Sequence, residues 1–387
     1  MNDYPRAEVV IQIPDHDETL SALGQSEIHS HREPGVSFRI GTLLGTGAMG
    51  IAYFGMRRAA DGKSPIVIKL LKPGYVLQAG DTARLVVDKE ATALSRLNNR
   101  VPPTPFVVRM IDTGVIPVVY SGRRLELPWL ALEYVHGGVE GTTLTERVAY
   151  SVDKTGYAFD PARAGLAVDC ISKGIDAVHE MGVIHRDLTP NNVLCCGFGD
   201  SEIFKITDFG LARPLGMNAT FGGIVVGTVG YAPPEQAALD DRRIGTWSDV
   251  FTFAVDLYFM LTGRGYFPTR NAMDSLALIR SPERTSILES AMLSPELRSQ
   301  PAACAGIDLA LRLATSTRPE DRPKTASMFA SMVLPWLKGV PRSRPASARL
   351  IESVAPVTAP TAPGESAWRW TVRHLPGDDQ VVRSVAW

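Results

Sequence analysis

The sequence predicts an α+β fold with two lobes of different architecture. In the first third of the chain, short segments rich in β-branched and aromatic residues alternate with turn residues, which predicts a sheet. After Gly141, apolar residues recur at helical spacing, which predicts a mainly helical remainder. Strands followed by helices are typical of α+β domains. The chain has 387 residues, 45% of them hydrophobic, so it can form one large domain with additional segments.

The first lobe is predicted to be an antiparallel sheet with one helix, beginning near Phe38. Turn residues at Gly45–Gly50 and Asp61–Lys63 separate its first three strands. Asp81 is the candidate N-cap of the helix. In chain order we predict the strands Phe38–Leu44, Ile51–Arg57 and Ile66–Leu71, a helix over residues 81–97, and the strands Val107–Ile116 and Leu127–Tyr134.

The second lobe is predicted to be mainly helical. Its clearest helices are Ala162–Met181, Trp247–Leu261, Asp274–Ile279 and Ala305–Ala314. The elements of both lobes indicate one domain over residues 37–340, divided into lobes 37–135 and 136–340. A polar N-terminal extension, residues 1–36, precedes this domain and is expected to lack regular structure.

Two segments follow the predicted domain. Residues 341–366 consist mainly of Pro, Ala, Ser and Thr, a composition typical of a linker because it buries little apolar surface. Residues 367–387 regain aromatic and β-branched residues around a Gly-Asp-Asp turn and resemble the start of a WD-type propeller repeat. The alternative is a short strand docked on the preceding domain, since a single repeat is not stable alone.

The composition excludes several classes of function. A net charge of −1 gives no indication of a nucleic-acid or membrane surface. The four cysteines lack the spacing of a zinc site and are interpreted as thiols in a reducing compartment. The sequence has neither a secretory signal nor an uninterrupted apolar run of about 18 residues. We therefore expect a cytoplasmic protein without a membrane or nucleic-acid partner.

The run HRDLTPNN at residues 185–192 and the triplet DFG at 208–210 carry the clearest chemical signal. A phosphoryl-transfer transition state needs a carboxylate that orients the attacking hydroxyl, and oxygen ligands for the Mg²⁺ that neutralises phosphate charge. Asp187 suits the first role, and Asn192 and Asp208 suit the second. Each motif alone is weak, but both in this order, with an Asn five positions after the Asp, are not expected by chance.

A G-x-G-x-x-G motif lies between the first two predicted strands. Glycines let backbone amides approach phosphates closely. A dinucleotide-binding turn would be followed by a helix, whereas a strand follows this motif. Lys69, at the end of the third strand, is expected to reach the α- and β-phosphates, although alone it would indicate only a surface lysine. The residues assigned to phosphate contact in the motif are Gly45, Thr46, Gly47 and Gly50.

With these motifs in order, residues 38–338 resemble a Hanks-type protein kinase domain and are most similar to the bacterial eukaryotic-like Ser/Thr kinases. The resemblance extends to the substrate loop at 227–235, to Asp249, which matches an aspartate that anchors the catalytic loop, and to Arg322, which matches an arginine that pairs with Glu235. It implies the bilobal protein-kinase fold, ATP and Mg²⁺ as cofactors, and phosphorylation of Ser and Thr in protein substrates, with autophosphorylation.

Further residues are assigned to the nucleotide site. Glu90, on the predicted helix, is expected to pair with Lys69, with a solvated acid as the alternative. The hinge between the lobes is predicted at Leu132–Val135, where backbone groups of Glu133 and Val135 would meet the adenine edge. The resemblance adds three apolar residues to the adenine pocket: Ala52, Val67 and Leu194.

Four residues indicate substrate class and regulation by resemblance to the family. Pro190 and Thr228 favour Ser/Thr substrates, because tyrosine kinases differ at the matching positions. Arg186 implies an activation loop that is steadied by a bound phosphate. Outside the substrate loop, the only hydroxyl residue between Gly210 and that loop is Thr220, which is therefore the predicted phosphosite.

Three positions depart from the family pattern. Thr189 stands where a lysine usually contacts the γ-phosphate, and losing one charged donor can cost about 3 kcal/mol, or ~10² in rate. Ala52 and Val67 exchange the sizes of the Val and Ala that are usual there, which conserves total volume. We therefore expect nucleotide binding to survive and activity to be modest unless another basic residue substitutes.

Two other classes remain as alternatives. A pseudokinase that serves as a nucleotide-binding scaffold typically loses the lysine or one of the two motif aspartates, and a small-molecule phosphotransferase usually lacks the loop at 227–235 and Arg322. This chain retains Lys69, Asp187, Asn192 and Asp208. The motifs thus favour an active protein kinase, with additional partners only if a propeller is present.

Overall fold

A computed structural model of the chain describes residues 11–13, 23–24, 26–47, 49–208, 220–221, 224–225, 230–237, 241–268 and 272–340. The strands of the first lobe are β1 (Ile11–Ile13), β2 (Glu27–His29), β3 (Ser37–Thr46), β4 (Gly50–Ala59), β5 (Gly62–Leu71), β6 (Met110–Tyr120) and β7 (Arg123–Glu133). They form one sheet in the order β1-β6-β7-β5-β4-β3-β2. All neighbouring pairs are antiparallel except β1 and β6, which run parallel.

The N-terminal extension takes part in this sheet, so the prediction that regular structure begins near Phe38 was wrong. β1 pairs with the end of β6 at one edge, and β2 pairs with β3 at the other. Ile13, Leu23 and Ile28 are buried in the common core. Strands of three residues are too short for an alternating pattern to stand out in a polar segment, which is why the sequence did not reveal them.

Two consecutive helices follow β5, namely α1 (Pro73–Ala79) and α2 (Asp81–Asn98). The predicted helix over residues 81–97 corresponds to α2, but its N-cap is Gly80 and not Asp81, which is the first helical residue. Gly80 has a φ of 56°, a conformation that is open to glycine, so the chain turns directly from α1 into α2. Helix α2 packs against β6 and β7 and positions Glu90 beside the sheet.

The second lobe is mainly helical, as predicted. Its elements are α3 (Leu144–Thr155), α4 (Pro161–Glu180), β8 (Val193–Cys196), β9 (Ile203–Ile206), β10 (Thr220–Phe221), β11 (Ile224–Val225), α5 (Pro234–Ala237), α6 (Thr246–Thr262), α7 (Ala272–Arg280), α8 (Pro295–Arg298), α9 (Pro301–Ala314) and α10 (Ala326–Lys338). The four predicted helices are confirmed as α4, α6, α7 and α9. Helix α6 is buried along almost its whole length and forms the centre of this lobe.

The segment before β6 connects the two lobes. Val107 was predicted to begin a strand of the first lobe, but it forms a bridge with Ile206 of β9, and β6 begins only at Met110. The amide of Val108 also donates to the carbonyl of Ile206 at 2.9 Å. One hydrophobic core runs through both lobes.

Within the described ranges, no helix is long and apolar enough to cross a membrane. The predicted linker, residues 341–366, and the possible propeller repeat, residues 367–387, lie outside the described residues.

Candidate active site

The HRDLTPNN loop is held from the second lobe by Asp249 of α6. The buried carboxylate of Asp249 accepts hydrogen bonds from the amides of His185 and Arg186, each at 2.8 Å, and contacts Nε2 of His179 at 2.7 Å. Burial alone would raise the pKa of Asp249, but its bonds with His179 and the Arg186 amide outweigh burial and lower that pKa. The structure thus places Asp249 against the loop. His179 was missed, because a histidine on an amphipathic helix carries no distinctive signal.

The backbone around the loop is unusual at two of the predicted site residues. Arg186 has a φ of 67° and Asp208 a φ of 57°, both in the left-handed region that costs energy for residues other than glycine. The side-chain Nε2 of Gln236 donates to the carbonyl of Arg186 at 2.7 Å, and Nε2 of His185 lies 2.9 Å from the carbonyl of Thr207. Burial lowers the pKa of His185, which favours the neutral imidazole. These contacts hold the strained conformations in place.

Asn192 connects the predicted catalytic aspartate to a candidate metal site. Its Nδ2 donates to the carbonyl of Asp187 at 2.6 Å and lies 3.4 Å from Oδ2 of that residue. The side chain is fully buried, yet Oδ1 has no hydrogen-bond partner in the described part of the chain. An unpaired buried oxygen is costly unless a ligand satisfies it. The amide of Thr207, next to Asp208, donates to the carbonyl of Asn192 at 2.9 Å.

This pair of oxygen groups fits a magnesium ion. Asn192 Oδ1 and the carboxylate of Asp208 are hard ligands of the kind that Mg²⁺ prefers. Because Asp208 is partly exposed at the cleft, a bound metal would remain accessible to phosphate oxygens. The two residues predicted as metal ligands are therefore chemically suited to that role.

Lys69 joins acids from both lobes. It lies buried on β5, where its Nζ contacts Oδ1 of Asp208 and lies 3.4 Å from Oε1 of Glu90. Burial lowers the pKa of a lysine, but the charges of Asp208 and Glu90 outweigh it and raise the pKa of Lys69, so the ammonium stays charged. Burial is also the main cause that raises the pKa of Glu90, against the opposing effect of Lys69. The structure thus brings these three predicted residues together.

Apolar residues assigned to the adenine pocket share the sheet face that presents Lys69. Ala52 is directly opposite Lys69, and Val67 is opposite Leu132. Directly paired residues, and residues two apart on one strand, project to the same face of a sheet. Ala52 is buried and Val67 is half-buried. The two side chains whose sizes are exchanged relative to the family pattern therefore lie on adjacent strands and on one face of the sheet.

The hinge is tied to the second lobe by the side chain of Glu133. Its carboxylate accepts a hydrogen bond from the amide of Arg109 at 2.9 Å and pairs with Nζ of Lys205 at 2.7 Å. Val135, two residues further on, is buried, and Leu194 is half-buried on β8. Arg109 and Lys205 were missed because their relation to the hinge depends on residues far apart in sequence.

The glycine motif closes the turn between β3 and β4. Gly45 pairs with Ala52 and Thr46 pairs with Ile51, while the amide of Gly47 donates to the carbonyl of Gly50 at 2.9 Å. A strand and not a helix follows Gly50, which argues against the dinucleotide-binding alternative.

Thr189 is buried and extended, immediately before a 3₁₀ turn at Pro190–Asn192. Its carbonyl accepts a hydrogen bond from the amide of Asn192 at 2.8 Å. This residue is therefore next to Asn192 and close in sequence to Asp187, where a neutral hydroxyl stands in place of the lysine of the family pattern.

The residues predicted to regulate the activity and to bind the substrate are only partly described. Thr220 lies on β10, whose backbone pairs with β11, but its side chain lies outside the description. Thr228 of the substrate loop and the last two residues of the DFG triplet also lie outside the described residues. The loop's end is described: Arg322 donates to both carboxylate oxygens of Glu235 at 2.7 and 2.9 Å.

Comparison with known proteins agrees with this geometry. Residues 38–351 match the family model for the protein kinase domain. The probable serine/threonine-protein kinase PkwA of Thermomonospora curvata is 28% identical over 330 residues, which cover 85% of this chain and 38% of that protein. The serine/threonine-protein kinase pkn2 of Myxococcus xanthus is 34% identical over 231 residues, which cover 59% of this chain and 24% of that protein. The chain thus spans well under half the length of both relatives.

A solved structure supports the fold. The crystal structure of the Mycobacterium tuberculosis PknI kinase domain aligns with a TM-score of 0.52 over 78% of this chain and 96% of that chain, at 21% identity. At this identity the similarity concerns the two-lobed fold alone.

Proposed function

This chain belongs to the protein kinase domain family, and on that basis we propose that it transfers phosphate from ATP to serine and threonine residues of protein substrates. The names of its relatives as serine/threonine-protein kinases support this assignment. The observation that carries it is the buried network in which Lys69 contacts both Glu90 and Asp208. Buried charges are costly to maintain unless they are paired, and this pairing keeps a charged ammonium at the place where nucleotide phosphates would bind.

Lys69 would position the α- and β-phosphates of ATP. Glu90 holds the ammonium from the helix side. Asp208 contacts the same ammonium, at a position that phosphate oxygens would share once ATP is bound. On nucleotide binding, Lys69 would exchange part of its contact with Asp208 for phosphate oxygens. Positioning and charge stabilisation are the main contributions that a protein makes to phosphoryl transfer.

Asp187 would orient the attacking hydroxyl of the substrate. Its position is fixed through Asn192, which donates to its carbonyl, and through Asp249, which holds the two preceding residues. Asn192 Oδ1 and the carboxylate of Asp208 would hold Mg²⁺, which neutralises charge on phosphate oxygens when it is bound.

The proposal is tested with purified protein of residues 1–387, Mg²⁺ and γ-labelled ATP, using autophosphorylation and a generic basic protein as acceptors. Labelling of serine and threonine is expected in the wild type and should be absent in Asp187→Asn. Asp153→Asn, which removes an exposed acid on α3, is the matched control and should label normally. Equal labelling by the Asp187 variant would refute the assignment.

We also propose that Thr220 is the phosphosite of the activation loop, since Arg186 is the family's partner for such a phosphate. A phosphate adds strong acceptors that can order a loop through arginine. Mass spectrometry of active protein is expected to find phosphate on Thr220, and Thr220→Ala should lower the activity. An active preparation in which Thr220 is unmodified contradicts the proposal.

Three finer assignments remain predictions from the sequence. They are Mg²⁺ as the metal, a cytoplasmic location without nucleic-acid or membrane partners, and a WD-type repeat at residues 367–387 that would supply further protein partners. The resemblance of that last segment to a repeat is its only support.

A further inference from the structure

Arg147 on α3 is fully buried, and its guanidinium binds acceptors from two separate parts of the chain. Its Nε donates to the carbonyl of Gly141 at 2.8 Å, and its Nη2 donates to the carbonyl of Gly137 at 2.9 Å. The same Nη2 donates to the carbonyl of Gly197, directly after β8, at 3.2 Å, and Nη1 donates to Glu140 at 3.0 Å. Arginine can make this many bonds because its planar fork carries five N–H donors. Arg147 therefore links the loop after the hinge to the end of β8.

Both linked segments are continuous with residues assigned to the adenine pocket. Gly137 follows two residues after Val135, whose backbone groups are assigned to the adenine edge. Gly197 follows three residues after Leu194, which is assigned to the pocket itself. The chain after the hinge also returns to β8, where Thr143 forms a bridge with Leu194. A side chain that holds Gly137 and Gly197 together therefore acts on the spacing between the hinge and β8.

Residues 137–142, which we call the post-hinge loop, are closed tightly on themselves. The amide of Gly137 donates to Oγ1 of Thr142 at 3.1 Å, and a Cβ atom at Gly137 would lie 1.8 Å from the carbonyl oxygen of Gly141. The amide of Cys195 on β8 donates to the carbonyl of Thr142 at 2.7 Å. Because the post-hinge loop has so little freedom, a shift of Gly137 is expected to move the hinge residues before it.

Charge pairing alone does not account for the position of Arg147. The two acids beside it, Glu140 and Glu202, are also bound by Arg163 of α4, whose Nη2 lies 2.6 Å from the first and 2.8 Å from the second. These acids would therefore keep a cation if Arg147 were removed. Its bonds to three backbone carbonyls are different, because a buried carbonyl that loses its donor is costly. The bonds that distinguish Arg147 are thus those to the backbone.

We propose that Arg147 is a positioning residue for the nucleotide, which sets the spacing between the hinge and β8 and thereby the fit of the adenine pocket. Since Arg147 is fully buried, it acts through Val135 and Leu194 and not by contact with ATP. The inference rests on the proposed function, because it requires that ATP binds between these two segments. It assigns affinity for the adenosine part of ATP to Arg147, whereas Lys69 and Asp208 serve the phosphates.

The test compares three ligands by calorimetric titration of residues 1–387: adenosine, a non-hydrolysable ATP analogue with Mg²⁺, and tripolyphosphate with Mg²⁺. Arg147→Met keeps an apolar stem and removes every donor. It should raise the Kd of adenosine and of the ATP analogue by the same factor, about tenfold, which is the loss of roughly one hydrogen bond. The Kd of tripolyphosphate should not change, because that ligand does not enter the adenine pocket. In steady-state kinetics, KM for ATP should rise while kcat stays within about twofold of the wild type.

Two further variants make the result specific. Arg284→Met is the matched control: Arg284 is a half-buried arginine of the second lobe that donates to the carbonyls of Ile279 and Thr315 at 3.3 and 2.6 Å. Its loss removes similar bonds and should leave the Kd of adenosine unchanged. Thr142→Val removes the hydroxyl that closes the post-hinge loop and leaves the buried charges in place. It should raise the Kd of adenosine about threefold, and it decides the question if Arg147→Met does not fold.

Each outcome separates this inference from the proposed function. If the wild type binds adenosine and the ATP analogue but Arg147→Met and Thr142→Val bind them equally well, the inference is overturned and the proposed function stands. Equal losses of adenosine and tripolyphosphate affinity, or a loss in Arg284→Met as large as in Arg147→Met, would indicate general destabilisation and overturn the inference as well. A wild type that binds none of the three ligands would refute the proposed function and this inference with it.

Discussion

Two buried clusters of charge differ in how fully their bonding capacity is used. In the second lobe, Arg322 binds both oxygens of Glu235, and the hydroxyl of Ser248 donates to the same carboxylate at 2.7 Å. In the cleft, Lys69 is shared between two acids, and Asn192 Oδ1 has no hydrogen-bond partner in the described chain. The saturated cluster holds the fold together. The cleft cluster keeps capacity for a ligand, as a site for a metal and a nucleotide would require.

The largest expected effect is on stability, in the saturated cluster. Arg322→Ala leaves Glu235 buried without its cation and should lower the free energy of unfolding by about 3–5 kcal/mol. Urea denaturation of both proteins measures the change. Arg243→Ala is the matched control: Arg243 is exposed and lies 3.6 Å from Glu320, so its loss should cost at most about 1 kcal/mol. Similar losses for the two variants would contradict the distinction between the clusters.

The cleft cluster should respond in activity rather than in stability. Lys69→Met and Asp208→Ala are each expected to lower kcat/KM by about 10²–10³ or more, since each removes preorganised charge beside the phosphates. The free energy of unfolding should change less than in Arg322→Ala, because burial already raises the pKa of Glu90 and that acid can take up a proton when Lys69 is absent. Steady-state kinetics and urea denaturation measure the two effects.

Lys173→Met removes an exposed lysine from α4 and serves as the control for Lys69→Met. It should leave kcat/KM unchanged. Near-normal turnover in Lys69→Met, or unfolding of that variant at 25 °C, would show that the cleft cluster is structural, like the cluster around Arg322 and Glu235.

A substitution at Thr189 tests whether the cleft lacks a positively charged donor for the γ-phosphate. Thr189→Lys adds a charged donor, and charge-assisted hydrogen bonds are roughly twice as strong as neutral ones. We expect kcat to rise, by up to ~10² if no other cation fills the position. Measuring kcat for both proteins decides the matter. An equal or lower rate means that another basic group already supplies the charge and that the added lysine crowds it.

Asp256 on α6 offers the smallest and most pH-dependent effect. It is fully buried, and neither of its carboxylate oxygens has a hydrogen-bond partner in the described part of the chain. Burial, together with the charge of Asp187, raises the pKa of Asp256 well above its ordinary value. The folded protein therefore holds this proton more tightly than the unfolded chain, and its stability falls as pH rises from the ordinary aspartate pKa toward the raised one.

Two substitutions of Asp256 separate charge from polarity. Asp256→Asn cannot ionise, so it should be more stable than the wild type at neutral pH, with the difference shrinking toward pH ~4. Asp256→Leu removes both unpaired oxygens and should add about 1–3 kcal/mol. Urea denaturation across pH 4–8 checks both, and a pH dependence that survives in Asp256→Asn would assign it to another group.

The sequence predicted that Lys69, Glu90 and Asp208 meet in the cleft, because short motifs with fixed spacing specify local conformations. The HRDLTPNN run, the DFG triplet and the glycine motif each specify a local conformation, and Lys69 and Glu90 follow from their places on a strand and a helix. The succession of strand segments followed by helical segments was likewise enough to predict the two lobes.

What the sequence did not predict depends on contacts between distant residues. Fully buried Arg147 binds Glu140 and Glu202 at 3.0 and 3.2 Å, but nothing near it in sequence indicates either partner. His179 beside Asp249 is a similar case. Ile13 and Ile28 were missed as core residues for another reason. Each belongs to a three-residue strand that forms only by pairing with an edge strand of the sheet.

The two N-terminal strands also bear on where this domain can be cut. The family match begins at residue 38, yet β1 and β2 cover opposite edges of the sheet, at the end of β6 and along β3. A protein trimmed to residue 38 would present both edges unpaired and leave the cavities of Ile13 and Ile28 open. Open strand edges recruit strands from other molecules, so a recombinant domain made to the family boundary would be more prone to self-association than a chain that keeps β1 and β2.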